Sequence, residues 1–232
     1  MDTMELVQFL LRWVHLLAGV TWIGLLYYFN FVQTPFFAET EASTRTGAIQ
    51  KLVPRALWWF RWGAMFTFLA GILIYIIKWS QLGSDFFPSG YGMAITIGGT
   101  MGTLMFLNVW LVIWPNQQVV IASADQVAGG GEALPDAASK GQWAGFASRT
   151  NTLFSIPMLF LMGAASHYPH GASGGNAAVF WIVSLVIIAI VELNALVGDA
   201  GGGTKKLLTS IPGVIWSGLI LTAIFWILLE IA

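Results

Sequence analysis

The sequence predicts an all-α integral membrane bundle of about six transmembrane helices with both termini outside, and three observations carry that expectation. Only 9% of the 232 residues are charged and 57% are hydrophobic, whereas soluble domains carry roughly 25% charged residues. Six apolar stretches reach the ~20 residues that a ~30 Å hydrocarbon layer demands at about 1.5 Å per residue. The basic residues fall very unevenly between alternate connections, as they do in membrane proteins with a fixed orientation.

The stretches are 6–32, 57–79, 92–114, 150–167, 177–197 and 211–231. Each must satisfy its own backbone in lipid, and runs this long do not suit barrel strands, so each is read as a helix. The first follows Met-Asp-Thr-Met-Glu, which has neither a basic leader nor a cleavage site, so it is expected to be retained. The second carries Ala70 and Gly71, the third Gly98 and Gly102, and the sixth Gly213 and Ser217. Small residues at such spacing let helices approach closely, and bundle packing is their expected role. Pro115 and Asn116, in Trp114-Pro-Asn-Gln117, read as a stop for the third helix. The connection 33–55 has room for a short surface helix. Residues 117–148, with three consecutive glycines from Gly129 and then Pro135, are expected to form a flexible cytoplasmic loop within a single transmembrane domain, 1–232.

Connections after the first, third and fifth stretches hold Arg45, Lys51, Arg55, Lys140, Arg149, Lys205 and Lys206, whereas the opposite side holds Lys78. The positive-inside rule then puts the termini in the periplasm and the chain in a cytoplasmic (inner) membrane. Zero cysteines exclude disulfides, Fe–S clusters and covalently attached haem c within the chain. A net charge of −1 without a basic patch argues against nucleic acid as a partner, leaving the lipid bilayer as the first one. No phosphate-binding loop, nucleophile elbow, zinc-protease or dinucleotide motif is present.

Ionisable groups inside a bilayer are costly and point to function. On the first helix Arg12 and His15 stand three residues apart, with Gly19 one turn further on the same face. A haem b needs an imidazole for its iron, a cation for its propionates and a small residue where the macrocycle meets the helix, and these residues supply that set. The other reading of His15 is a buried imidazole hydrogen-bonded to a neighbouring helix. His167 and His170 lie at the outer end of the fourth helix, several residues nearer the surface than His15, where one of them is a candidate second ligand. Glu192 and Asn194 lie on the fifth helix toward the cytoplasmic half, and Glu192 reads either as a proton-relay carboxylate or as a neutral, hydrogen-bonded interior acid. Asn108 and Arg61 complete the polar interior, and Arg149 is read as an anchor at the inner surface, open also to an anionic ligand.

Beyond these local readings, Arg12-Trp-Val-His15-Leu-Leu-Ala-Gly19-Val-Thr-Trp22-Ile-Gly24 resembles the first helix of the bacterial membrane-bound urate oxidase family. The resemblance continues through Trp59-Phe-Arg61-Trp62, Asn108, Pro115-Asn-Gln117, Arg149-Thr-Asn151, Ser155-Ile-Pro157, Ser166-His167-Tyr168-Pro169 and Glu192-Leu-Asn194. It implies a membrane domain that oxidises urate to 5-hydroxyisourate and passes electrons to a c-type cytochrome, with His15, Arg12 and His167 as the positions carried over. Similar first-helix histidine patterns in other haem-linked bacterial membrane families add to the expectation of haem at His15. Family members carry that cytochrome as a C-terminal domain. This chain is expected to lack it and to rely on a separate one. Trp58, Gly63 and Thr150 stand where the resemblance leads one to expect a His, an acid and a His. Those departures keep open a second expectation, a non-catalytic subunit of a larger membrane complex. A transporter is weaker still, because no paired repeat is visible.

Overall fold

The computed structural model describes residues 2–168 and 177–232. Helix α1 (Thr3–Tyr27) opens with a capping box in which the Asp2 carboxylate accepts from the Met4 N–H and the Glu5 carboxylate from the Asp2 N–H. A π-helical segment, Tyr28–Gln33, leads into α2 (Thr34–Glu39) without a break. Helix α3 (Ala42–Lys51) is the short surface helix expected in the first connection. Helix α4 (Val53–Leu82) ends at Gly83, whose φ of 58° lies in the left-handed region that favours glycine. Ser89 caps α5 (Gly90–Leu107) through the Gly92 N–H. A second π-helical segment, Asn108–Ile113, continues into α6 (Trp114–Ala128). Helices α7 (Ala137–His167), α8 (Ala177–Leu196) and α9 (Ile211–Ile231) follow, α9 capped by Ser210.

Pro115 does not stop the third span. Proline lacks an N–H and its ring crowds the carbonyl four residues back. Here the Trp114 N–H bonds the Val109 carbonyl, five residues back, so the widened turn accommodates the ring and the helix runs on to Ala128. The same device carries the first span past Pro35, where the Thr34 N–H bonds the Phe29 carbonyl. The loop expected over 117–148 is therefore mostly helix. Residues 117–128 belong to α6 and 137–148 to α7, leaving only the stretch between Ala128 and Ala137 non-helical.

Of the six expected spans, five lie in helices long and apolar enough to cross a membrane: Thr3–Glu39, Val53–Asp85, Gly90–Ala128, Ala177–Leu196 and Ile211–Ile231. The sixth is α7, whose 31 residues are long enough but less apolar. It packs against α5, α6 and α9 at the centre of the bundle, and its Thr150, Asn151, Thr152 and Ser155 are all buried. A helix shielded by its neighbours can carry polar side chains where a lipid-facing one cannot. The rest of the bundle shows the same inversion. Val20 is 74% exposed, Leu111 69% and Ile182 64%, while Asn30, Asn108 and Glu192 are inside. That distribution fits a hydrocarbon solvent.

Close helix approach uses glycine as expected at two of the named places. A Cβ on Gly98 would stand 3.3 Å from Met162, and one on Gly102 3.4 Å from Met158, so α5 seats the methionines of α7. On α9 the tight contact is Gly218, where a Cβ would come within 2.5 Å of Ile156. Gly213 serves the Ser210 cap instead.

Candidate functional site

Helices α1 and α4 form a closely packed antiparallel pair, and His15 sits inside that interface. Its Nδ1 lies 2.8 Å from the Thr67 carbonyl oxygen, so Nδ1 carries the proton and donates. Nε2 then holds the lone pair, and among the described residues no hydrogen bond engages it. Gly71 makes the seat: a Cβ there would stand 3.0 Å from Cε1 and 3.2 Å from Nδ1 of the ring. Gly19 faces Thr67, whose methyl would lie 3.8 Å from an added Cβ, so it serves the α1–α4 contact. Arg12, one turn away, is exposed and has no carboxylate partner among the described residues.

His167 is exposed and lines a groove of about 410 Å³ with Gly163, Tyr168 and Trp226 of α9. Its height corrects the expectation that it lies nearer the surface than His15. Tyr27 Oη meets Ser155 Oγ at 2.9 Å, and Asn30 Nδ2 donates to Ser148 Oγ at 2.8 Å, so α1 and α7 run antiparallel. Both imidazoles stand twelve residues from the Tyr27–Ser155 contact, about 18 Å of rise toward the same end. They are level, yet they face different neighbours, His15 toward α4 and His167 toward α9. His170 lies outside the described residues.

A second polar centre joins α5, α7 and α8 at the start of the second π segment. Asn108 Nδ2 donates to Asn151 Oδ1 at 2.9 Å and to Glu192 Oε2 at 3.2 Å, and Asn151 Nδ2 donates to the Met105 carbonyl at 2.9 Å. Thr150 Oγ1 and Ser184 Oγ are buried without partners. Glu192 and Asn108 are thus brought together, whereas Asn194 turns away and donates to the Thr204 carbonyl at 3.4 Å. Arg149 does not open a helix but lies well inside α7, where it donates to the Leu208 carbonyl at 2.9 Å and ties α7 to the segment before α9.

On the α4 side of the same π segment, the Arg61 guanidinium carbon stands 3.8 Å from the Trp114 ring centroid, 4.8 Å from Trp110 and 5.6 Å from Trp62. Sequence reasoning marked Arg61 as an intramembrane charge but had no means of finding this cage, or of joining Asn151 to Glu192, because periodicity does not say which helices are neighbours. The one available signal was a proline shortly after an Asn in an apolar run, at Asn30/Pro35 and Asn108/Pro115.

An α-helical bundle with an apolar exterior and a hydrogen-bonded polar interior defines the chain as a multi-pass membrane protein. The family model described as urate oxidase N-terminal matches residues 74–225, about two thirds of the chain. The chain belongs to the urate oxidase N-terminal family. The matched region contains Asn108, Arg149, Asn151, His167, Glu192 and Asn194, while Arg12, His15, Gly19 and Arg61 precede it. No curated protein and no solved structure matches the chain.

Proposed function

We propose that the chain is the membrane portion of a urate-oxidising enzyme that binds haem b through Nε2 of His15 and delivers electrons to a separate c-type cytochrome. The reaction removes two electrons from urate and adds water, giving 5-hydroxyisourate and two protons. What supports the haem is the Nδ1 hydrogen bond of His15 to Thr67, which fixes the tautomer, orients the ring and leaves Nε2 for iron. The residues fit such a group in their donor chemistry: an oriented imidazole, and one turn away Arg12, which has no carboxylate partner among the described residues, for a propionate. A haem held there supplies a one-electron carrier between a two-electron substrate and a one-electron acceptor.

The placement supports a direction as well. The loop cations gather at the end of the bundle where α3 meets α6 through Gln50 and Asp125 and where Arg149 meets Leu208. Under the positive-inside rule that end is cytoplasmic, and His15 stands in the outer half of its span, nearer a periplasmic acceptor. The inner membrane and periplasmic termini are parts of this proposal.

The test is a visible spectrum of the detergent-purified chain, oxidised and dithionite-reduced, followed by urate oxidation with added cytochrome c. A b-type spectrum with urate-dependent cytochrome reduction is the expected result. A folded chain without a Soret band, purified under conditions that retain haem, would overturn the haem assignment and favour the non-catalytic subunit.

A further inference from the structure

We propose that Arg61, with the indoles of Trp110 and Trp114, forms a binding site for a planar organic monoanion, the chemical class to which urate belongs. The proposal rests on the urate-oxidising reading for its probe and deepens it by placing the substrate.

A guanidinium inside a bundle of this kind is expensive unless something answers its charge. Among the described residues no carboxylate does so for Arg61, and its contacts are the three indole faces. The Trp114 ring centroid stands 3.8 Å from the guanidinium carbon, and among the described residues the guanidinium Nε is left without an acceptor. Arg61 Nε is buried and unpartnered, and so is Trp110 Nε1 on the ring 4.8 Å away. Buried donors in native proteins nearly always find an acceptor, in the protein, in water or in a ligand. The asparagines of this interior do so: Asn30, Asn108 and Asn151 each donate to a named oxygen. Two buried donors without acceptors among the described residues, on a guanidinium and an indole whose centroid is 4.8 Å from it, call for an acceptor from outside.

The shape of that acceptor follows from the donors. A guanidinium edge pairs best with acceptors lying in its own plane, as in a carboxylate or a deprotonated heterocycle. The surrounding indoles offer flat apolar faces that stack on a ring and give nothing to a spherical ion. Arg61 lies eight residues into α4, about 12 Å of rise from Val53. That is the end of the bundle that carries Arg45, Lys51 and Arg55, whose positive field draws anions toward it. Gly71, the seat of His15, is ten residues further along the same helix, about 15 Å. The two sites therefore share one helix.

Calorimetric titration of urate into the purified full chain tests the proposal, with Arg61→Gln, Arg61→Lys and Trp110→Phe compared at matched helicity. Arg61→Gln is expected to weaken urate binding by at least about tenfold, the scale of one charged hydrogen bond. Arg61→Lys should stay weak because it restores charge without the planar fork. Trp110→Phe, which keeps an aromatic ring while removing the N–H and part of the indole face, should weaken binding about threefold to tenfold, and it carries the test if the arginine variants do not fold. Hypoxanthine, flat but uncharged at neutral pH, should compete poorly. Urate binding unchanged in Arg61→Gln or Trp110→Phe, or equal competition by hypoxanthine, would overturn this site and leave the urate-oxidising reading standing. A haem-bearing wild type that binds no urate would overturn both.

Discussion

The α1–α4 interface and the α5–α7–α8 interface each bury polar side chains in an apolar bundle, but they treat them differently. At Asn108, Asn151 and Glu192 the amide donors meet acceptors of the same network, which joins three helices, although the neighbouring Thr150 and Ser184 hydroxyls are buried without partners among the described residues. At His15 one nitrogen is engaged and the other open, and at Arg61 the buried Nε has no acceptor. A closed network holds helices together, whereas an open donor or acceptor is available to something that arrives later. On that difference the α5–α7–α8 network is read as structural and the His15 and Arg61 positions as the proposed binding positions, although the family match covers the network and neither His15 nor Arg61.

The largest expected effect tests that division directly. His15→Ala should abolish the b-type spectrum while leaving helicity and detergent melting close to wild type, because the ring donates a single hydrogen bond to a carbonyl already within a helix. His167→Ala should keep the spectrum, since His167 faces Trp226 and not α4. Loss of haem in His167→Ala with retention in His15→Ala would move the cofactor to the α7–α9 groove and reverse the comparison.

Asn108→Leu should show the opposite pattern. It strands Asn151 Oδ1 and Glu192 Oε2 in the interior, where an unmet polar group costs about 1–3 kcal/mol; membrane hydrogen bonds measured by double-mutant cycles average about 0.6 kcal/mol, so the lower part of the range is expected. The melting temperature should fall while the haem spectrum and its midpoint potential stay unchanged. A shifted potential with unchanged melting would make this cluster part of the redox site.

Gly71→Ala is a finer probe of the open side. Its methyl would arrive 3.0 Å from Cε1 of His15, so the ring must tilt by a few tenths of an ångström and strain its bond to Thr67. Haem content should fall partially and the reduced band should broaden, without the full loss seen in His15→Ala. An unchanged spectrum would show that the orientation set by Thr67 is not what prepares the ring.

The division also explains what the sequence disclosed. The bundle class was legible because a lipid solvent writes itself into composition, and His15, Glu192 and Arg61 were legible because an ionisable group among twenty apolar residues stands out. Their partners were not. Asn151 lies 43 residues from Asn108, and Glu192 84 residues, and nothing in a helical period states that α5, α7 and α8 meet there. The polar character of α7 came from its central position, which only the packing reveals. Pro115 misled because proline ends most helices, and the π segment that absorbs it leaves no periodic trace.

Lys205 gives the smallest effect and a control outside the membrane-spanning helices. Its Nζ donates to the Val197 carbonyl at 2.9 Å and lies 4.4 Å from the Trp143 ring, and the residue is only 2% exposed. Burial lowers the pKa of this ammonium below its usual value, with Asp199 opposing in part. A lysine depressed in the fold binds fewer protons there than when unfolded, so stability should rise with pH between the folded value and the ordinary lysine value, and level off above it. Lys205→Met should flatten that alkaline rise while leaving haem and urate binding alone. The wild-type minus variant difference in melting temperature, followed from neutral to alkaline pH in detergent, isolates this lysine from the other titrating groups. A difference that does not grow with pH would show that its hydrogen bonds to Val197 and Ala195 keep the ammonium as well solvated as water does.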